Sequence, residues 1–135
     1  DYSADEWEYI RNSNFRVITY FDREIKQRQF EGDSWKHIAE EIVSKLPRKV
    51  YISFDIDGLD RKLCPHTGTP VPGGFEAEEV FYLFRKVIES GRQLIGFDLC
   101  EVGVNSDNDW NANVGARVLL KLCNLMIASN TMTNP

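Results

Sequence analysis

Apolar positions recur along this chain in two rhythms. Trp35, Ile38, Ile42, Val43 and Leu46 fall at helical spacing and stop at Pro47, which predicts a helix capped by Asp33 or Ser34. Val80, Phe81, Phe84, Val87 and Ile88 form a second stripe of the same period, ended by Gly91 in the position of a C-terminal cap. A third passes through Val114, Val118, Leu122 and Leu125 and predicts a last helix over residues 111–128. Ser3 and Glu6 have capping-box spacing, predicting a short helix over 4–12. Between these lie three short runs rich in β-branched and aromatic residues, 15–20, 50–54 and 93–97, which read as strands. Helix and strand thus alternate through the chain. Such alternation implies right-handed crossovers and a parallel sheet with helices on its faces, an α/β fold.

The loop after the second strand is dense in Gly, Pro and Thr and runs for about twenty residues, long enough to read as functional rather than as a plain connection. Composition narrows the class. The 135 residues carry 16 basic and 21 acidic side chains, a net charge of −5, with no basic run. That argues against nucleic acid and anionic membrane as partners, which need a positive face. No stretch approaches the roughly 20 apolar residues of a membrane span. Cys64, Cys100 and Cys123 are odd in number and contain no C-x-x-C pair, poor material for a zinc site or a disulfide frame, so a cytoplasmic setting is expected. The chain begins Asp1-Tyr2-Ser3 without an initiator Met and reads as a piece of a longer polypeptide.

Ligands of open α/β sheets bind beyond the carboxyl ends of the strands, and two of the predicted strands end in acids. Asp55 and Asp57, in Ser53-Phe54-Asp55-Ile56-Asp57-Gly58-Leu59-Asp60, are expected on the same side of an extended backbone. Two adjacent carboxylates call for a neutralising cation, and their oxygens suit a hard divalent ion. An EF-hand loop is excluded, because the twelfth position from Asp55 is His66 rather than an acid. An Asp-x-Asp-Gly after an apolar strand also looks like the first motif of haloacid-dehalogenase-type Mg²⁺-dependent phosphatases, but Leu59 stands where that family has Thr.

Three ordered blocks point elsewhere. Ser53–Asp60, then Thr67-Gly68-Thr69-Pro70-Val71-Pro72-Gly73-Gly74, then Gly96-Phe97-Asp98-Leu99-Cys100-Glu101-Val102 resemble consecutive blocks of the ureohydrolase family, the arginase, agmatinase and formimidoylglutamase group. The resemblance implies a three-layer α/β/α domain around a parallel sheet, of which residues 1–135 would be the C-terminal portion. It implies hydrolysis of linear C–N bonds in a small guanidino or amidino substrate by a hydroxide bridging two Mn²⁺ ions. Asp55 would bridge both metals, Asp57 would complete the shell of one, Glu101 would pair with the substrate guanidinium, and Thr69 would line the substrate end of the site. It implies a homo-oligomer as well. A non-catalytic assembly domain with the same fold is the alternative from another class.

Some positions depart from the family pattern. Arg61 replaces the usual Pro, His66 a small residue, and Gly103-Val104-Asn105 the usual Asn-Pro after Glu-Val. The Gly-Gly-Asp-His and Asp-Ala-His-x-Asp blocks of the family do not occur here, so the isolated chain is expected to bind Mn²⁺ weakly and to be inactive. His37 reads as a surface or packing residue, Cys100 as buried, Asp22-Arg23-Glu24 as solvated charge, and Asp107-Asn108-Asp109 as a turn and cap for the last helix.

Overall fold

The computed structural model describes residues 2–132 and divides the chain into two units, 1–32 and 33–135. In the first, helix α1 (Ala4–Asn12) starts as its capping box dictates: the Ser3 side chain accepts from the Glu6 backbone N–H and the Glu6 carboxylate from that of Ser3. Helix α2 (Asp22–Phe30) follows. The segment 15–20, expected as a strand, is a turn and coil. Asn14 and Phe15 both take left-handed backbone (φ 51° and 63°), the Ser13 hydroxyl accepts from Val17 N–H, and Phe15 is 92% exposed. A β-rich hexapeptide gains a ladder only beside another strand, and among the described residues none pairs with it. Asp22-Arg23-Glu24 is exposed, as expected, yet it opens α2. Acidic residues in the first turn and Arg28 in the last complement the helix dipole, a signal without an apolar stripe.

The second unit holds helix α3 (Trp35–Lys45), strand β1 (Lys49–Asp55), a 3₁₀ turn (Ile56–Gly58), helix α4 (Ala77–Glu89), strand β2 (Gln93–Cys100) and helix α5 (Trp110–Met132). Ser34 caps α3 by accepting from His37 N–H. The described sheet is the parallel pair β1–β2, joined by the crossover through α4 that parallel strands require. Its buried face and the helices share one core of Val43, Val50, Ile52, Val80, Phe84, Val87, Leu94, Val118 and Leu122. Phe54 packs edge-on against Phe84.

The register steps from Val50↔Leu94 to Tyr51↔Gly96, leaving Ile95 as a bulge. That one residue decides which face the rest of β2 presents. Leu94 is buried, so unbroken alternation would send Asp98 and Cys100 inward; the bulge instead turns Phe97 and Leu99 toward the core and places Asp98 opposite Ser53. Cys100, expected to be buried, is exposed for this reason. No helix among the described residues is long and apolar enough to cross a membrane.

The long loop is closed at its neck. Asp60 N–H donates to the Phe75 carbonyl (2.8 Å), Phe75 N–H donates to that of Gly58 (3.0 Å), and Lys62 pairs with Glu76. Gly74, at φ 100°, lets the two arms touch, since a Cβ there would lie 2.7 Å from the Leu59 carbonyl. Leu59, Cys64 and Thr67 anchor the loop by burial.

Candidate active site

Asp55 is the last residue of β1 and is exposed; Asp57 lies in the 3₁₀ turn and is half-buried. The expected extended backbone between them is not there. The buried Ile56 side chain begins the turn and draws the chain inward between the two acids. Asp57 nevertheless meets the long loop, for the Thr69 hydroxyl donates to Asp57 Oδ2 at 3.2 Å. Beside Thr69, a Cβ on Gly68 would lie 3.7 Å from Glu101 Oε2. The second and third sequence blocks therefore meet the first at the carboxyl ends of the two strands. Glu101 takes φ 61°, left-handed backbone for a non-glycine residue, directly after β2 ends. Such strain persists where the surroundings over-determine it, and it concentrates at functional sites.

On the exposed face of the sheet a second carboxylate is held differently. Ser53 donates to Asp98 Oδ1 (2.8 Å) and Tyr51 to Asp98 Oδ2 (3.0 Å), with the Tyr51 ring lying over Gly96. These donors hold the Asp98 carboxyl below the usual carboxylate range, and the same carboxylate pushes the Tyr51 phenol and the Cys100 thiol up. Asp98 thus has its acceptor capacity engaged, unlike Asp55 and Glu101, to which no such donors stand among the described residues. This network escaped sequence reasoning because the Ile95 bulge that aligns it leaves no mark in residue type.

His37 is exposed and pairs with Asp33 one helical turn away (2.8 Å), a surface role as expected. His66 is half-buried, and its ring meets the Asn105 side-chain amide. The Asn108 side-chain oxygen Oδ1 accepts from Trp110 N–H at the start of α5, as a turn before that helix requires. Cys64 is buried, which pushes its thiol up and makes it a poor nucleophile. Among the described residues no group of three or more His, Cys, Asp or Glu side chains could hold a metal.

The profile of the arginase family matches residues 1–124. The chain belongs to the arginase family. It is 32% identical over 127 residues to the guanidinobutyrase of Pseudomonas aeruginosa, an alignment covering 90% of this chain and 36% of that protein. It is 37% identical over 117 residues to the agmatinase of Pyrococcus horikoshii, covering 82% and 41%. Among solved structures, the proclavaminate amidino hydrolase of Streptomyces clavuligerus superposes with a TM-score of 0.71 at 28% identity, over 90% of this chain and 39% of that one. The α/β fold with a parallel sheet is thus arginase-like and a partial domain: the chain spans about two-fifths of the length of these family members. The phosphatase reading of Asp-x-Asp-Gly is not favoured.

Proposed function

We propose that this chain is the C-terminal portion of a ureohydrolase domain that hydrolyses linear C–N bonds in guanidino compounds. The observation that carries this reading is the convergence of Asp57, Thr69 and Glu101, from three separate sequence blocks, at the carboxyl ends of β1 and β2. The names of its relatives, guanidinobutyrase and agmatinase, agree with a guanidino substrate.

The donor chemistry fits a hard divalent ion in part. Asp55 and Asp57 offer carboxylate oxygens at one strand end, but nothing among the described residues completes a group of three. In this reading both acids hold Mn²⁺ together with ligands from outside this chain, and alone the chain is inactive. When bound, the paired ions supply a water acidic enough to be nucleophilic at neutral pH. The chain's own residues do the rest. Thr69 fixes the Asp57 carboxylate by donating to Oδ2, leaving its other oxygen for the ion. Glu101, exposed and free of a competing donor from Tyr51 or Ser53, accepts from the substrate guanidinium in a charge-assisted contact that orients the central carbon. A cytoplasmic homo-oligomer completes the proposal.

The test is urea release by the full-length gene product, loaded with Mn²⁺ and offered arginine, agmatine and guanidinobutyrate. Urea from at least one of them, with Glu101→Gln raising KM by roughly tenfold or more, is the expected result for loss of a charged hydrogen-bond partner. No urea from any guanidino compound, with phosphate released from p-nitrophenyl phosphate instead, would overturn it.

A further inference from the structure

A glutamate keeps left-handed backbone, as Glu101 does at φ 61°, only where the residues on both sides of it are held. Downstream the hold is steric. A Cβ on Gly115 of α5 would lie 3.0 Å from Val102 Cγ1, and one on Gly103 would fall 1.8 Å from the His66 carbonyl oxygen. Residues 102 and 103 are therefore wedged between α5 and the long loop.

Upstream the hold is of another kind, because β2 carries the bulge at Ile95. Before the bulge, α5 fixes the strand: Leu94 N–H donates to Ser129 Oγ (3.1 Å) and Asn130 Nδ2 donates to the Leu94 carbonyl (3.2 Å). After it, Phe97 and Leu99 face the core but are only partly buried, and no residue from Gly96 to Cys100 is fully buried. On the outer face a single carboxylate takes three donors instead. Ser53 Oγ (2.8 Å) and Cys100 Sγ (3.4 Å) donate to Asp98 Oδ1, and the Tyr51 hydroxyl donates to Oδ2 (3.0 Å). Two of these donors come from β1 and the third from the residue beside Glu101. Gly96 admits the Tyr51 ring, since a Cβ there would lie 2.7 Å from it. Asp98 thus ties residues 98 and 100 to β1, whose own end is anchored from inside by Phe54 against Phe84 and by the buried Ile56.

We propose that Asp98 is a positioning residue for Glu101: with Tyr51, Ser53 and Cys100 it fixes the end of β2 against β1, and so keeps Glu101 in its left-handed conformation with its carboxylate beside Gly68. Released from this hold, Glu101 relaxes to ordinary backbone and its carboxylate leaves the loop that carries Thr69. The consequence for substrate rests on the role given to Glu101 above; the hold itself does not.

Nuclear magnetic resonance on the ¹⁵N,¹³C-labelled chain reads the hold directly, because the Glu101 backbone ¹³C shifts and its HN–Hα coupling report φ. Asp98→Ala moves them to the values of ordinary backbone. Tyr51→Phe and Ser53→Ala, which each remove one donor and leave the carboxylate, move them part of the way. Asp98→Asn keeps them in place, because its Oδ1 still accepts from Ser53 and the Tyr51 hydroxyl turns to accept from its NH₂. In the full-length protein, KM for the guanidino substrate rises about fivefold in Asp98→Ala, the scale of one hydrogen bond, and returns to the wild-type value in Asp98→Asn. Mn²⁺ affinity by calorimetry stays at the wild-type value in both, because Asp55 is anchored from the core side. Left-handed Glu101 signals that persist in Asp98→Ala, or an Asp98→Ala protein with the wild-type KM, would overturn the proposal. A rise in KM matched by an equal loss of Mn²⁺ affinity would overturn it too, since that is a general loosening of the strand ends. Left-handed signals lost in Asp98→Ala and kept in Asp98→Asn, in a protein that releases no urea, would leave this inference standing and remove the proposed function.

Discussion

Replacing Asp55 or Asp57 by alanine in the full-length protein is expected to cut Mn²⁺-dependent urea release by at least about a hundredfold while leaving the fold intact. The magnitude follows from position in the proposed site. Partners that merely orient metal ligands cost 10–100-fold in affinity or activity when removed, and these two acids are proposed as the ligands. The fold should tolerate the change, because Asp55 is exposed, Asp57 is half-buried, and the core closes around Ile56 between them. Thr69→Val gives the graded counterpart. It removes only the hydroxyl that holds Asp57 Oδ2, so the loss should fall within 10–100-fold and be partly recovered by excess Mn²⁺. Metal content by atomic absorption and initial rates of urea formation together check both arms. Wild-type rates in Asp57→Ala would remove that residue from the machinery.

Gly103→Ala should destabilise the chain more than any surface change, by about 3 kcal/mol, the upper range for forcing extra atoms into a packed site. Its Cβ would lie 1.8 Å from the His66 carbonyl oxygen and 2.9 Å from the carbonyl carbon, and these are backbone atoms that no rotamer can move aside. The expected readout is a lower urea midpoint with an unchanged denaturant slope. Relief of the clash must part the 66–68 loop from the 101–105 segment, so Glu101 would also lose its place. Gly58→Ala is the control, since nothing lies within 4 Å of a Cβ there, and its midpoint should stay near that of wild type.

These expectations also show what the residue pattern could and could not convey. Helices α3 and α4 were legible because a core-facing stripe at helical spacing and a cap or stop act within a few residues of each other. Ser3 and Glu6 gave α1 to within a residue for the same reason. The segment 15–20 has strand composition and no strand, because pairing is decided by a neighbour outside the segment. Helix α2 was illegible as a stripe, its charges carrying the dipole signal instead. At the site, residue identity placed Asp57, Thr69 and Glu101 in three blocks, and the structure brings those blocks together. The faces were another matter. A bulge at Ile95 and a 3₁₀ turn at Ile56, neither visible in composition, expose Cys100, align Asp98 with Tyr51 and Ser53, and take Asp57 off the extended backbone.

The central claim is that this chain carries two carboxylates of a two-metal site whose other ligands lie outside it. Calorimetric titration of Mn²⁺ into the 135-residue chain and, in parallel, into the full-length protein tests it most directly, with the Asp55→Ala/Asp57→Ala double variant of each as control. The account predicts two bound ions for the full-length protein, lost in its double variant, and only weak binding by the chain alone. Tight Mn²⁺ binding by the isolated chain, or binding by the full-length protein that survives the double substitution, would contradict it.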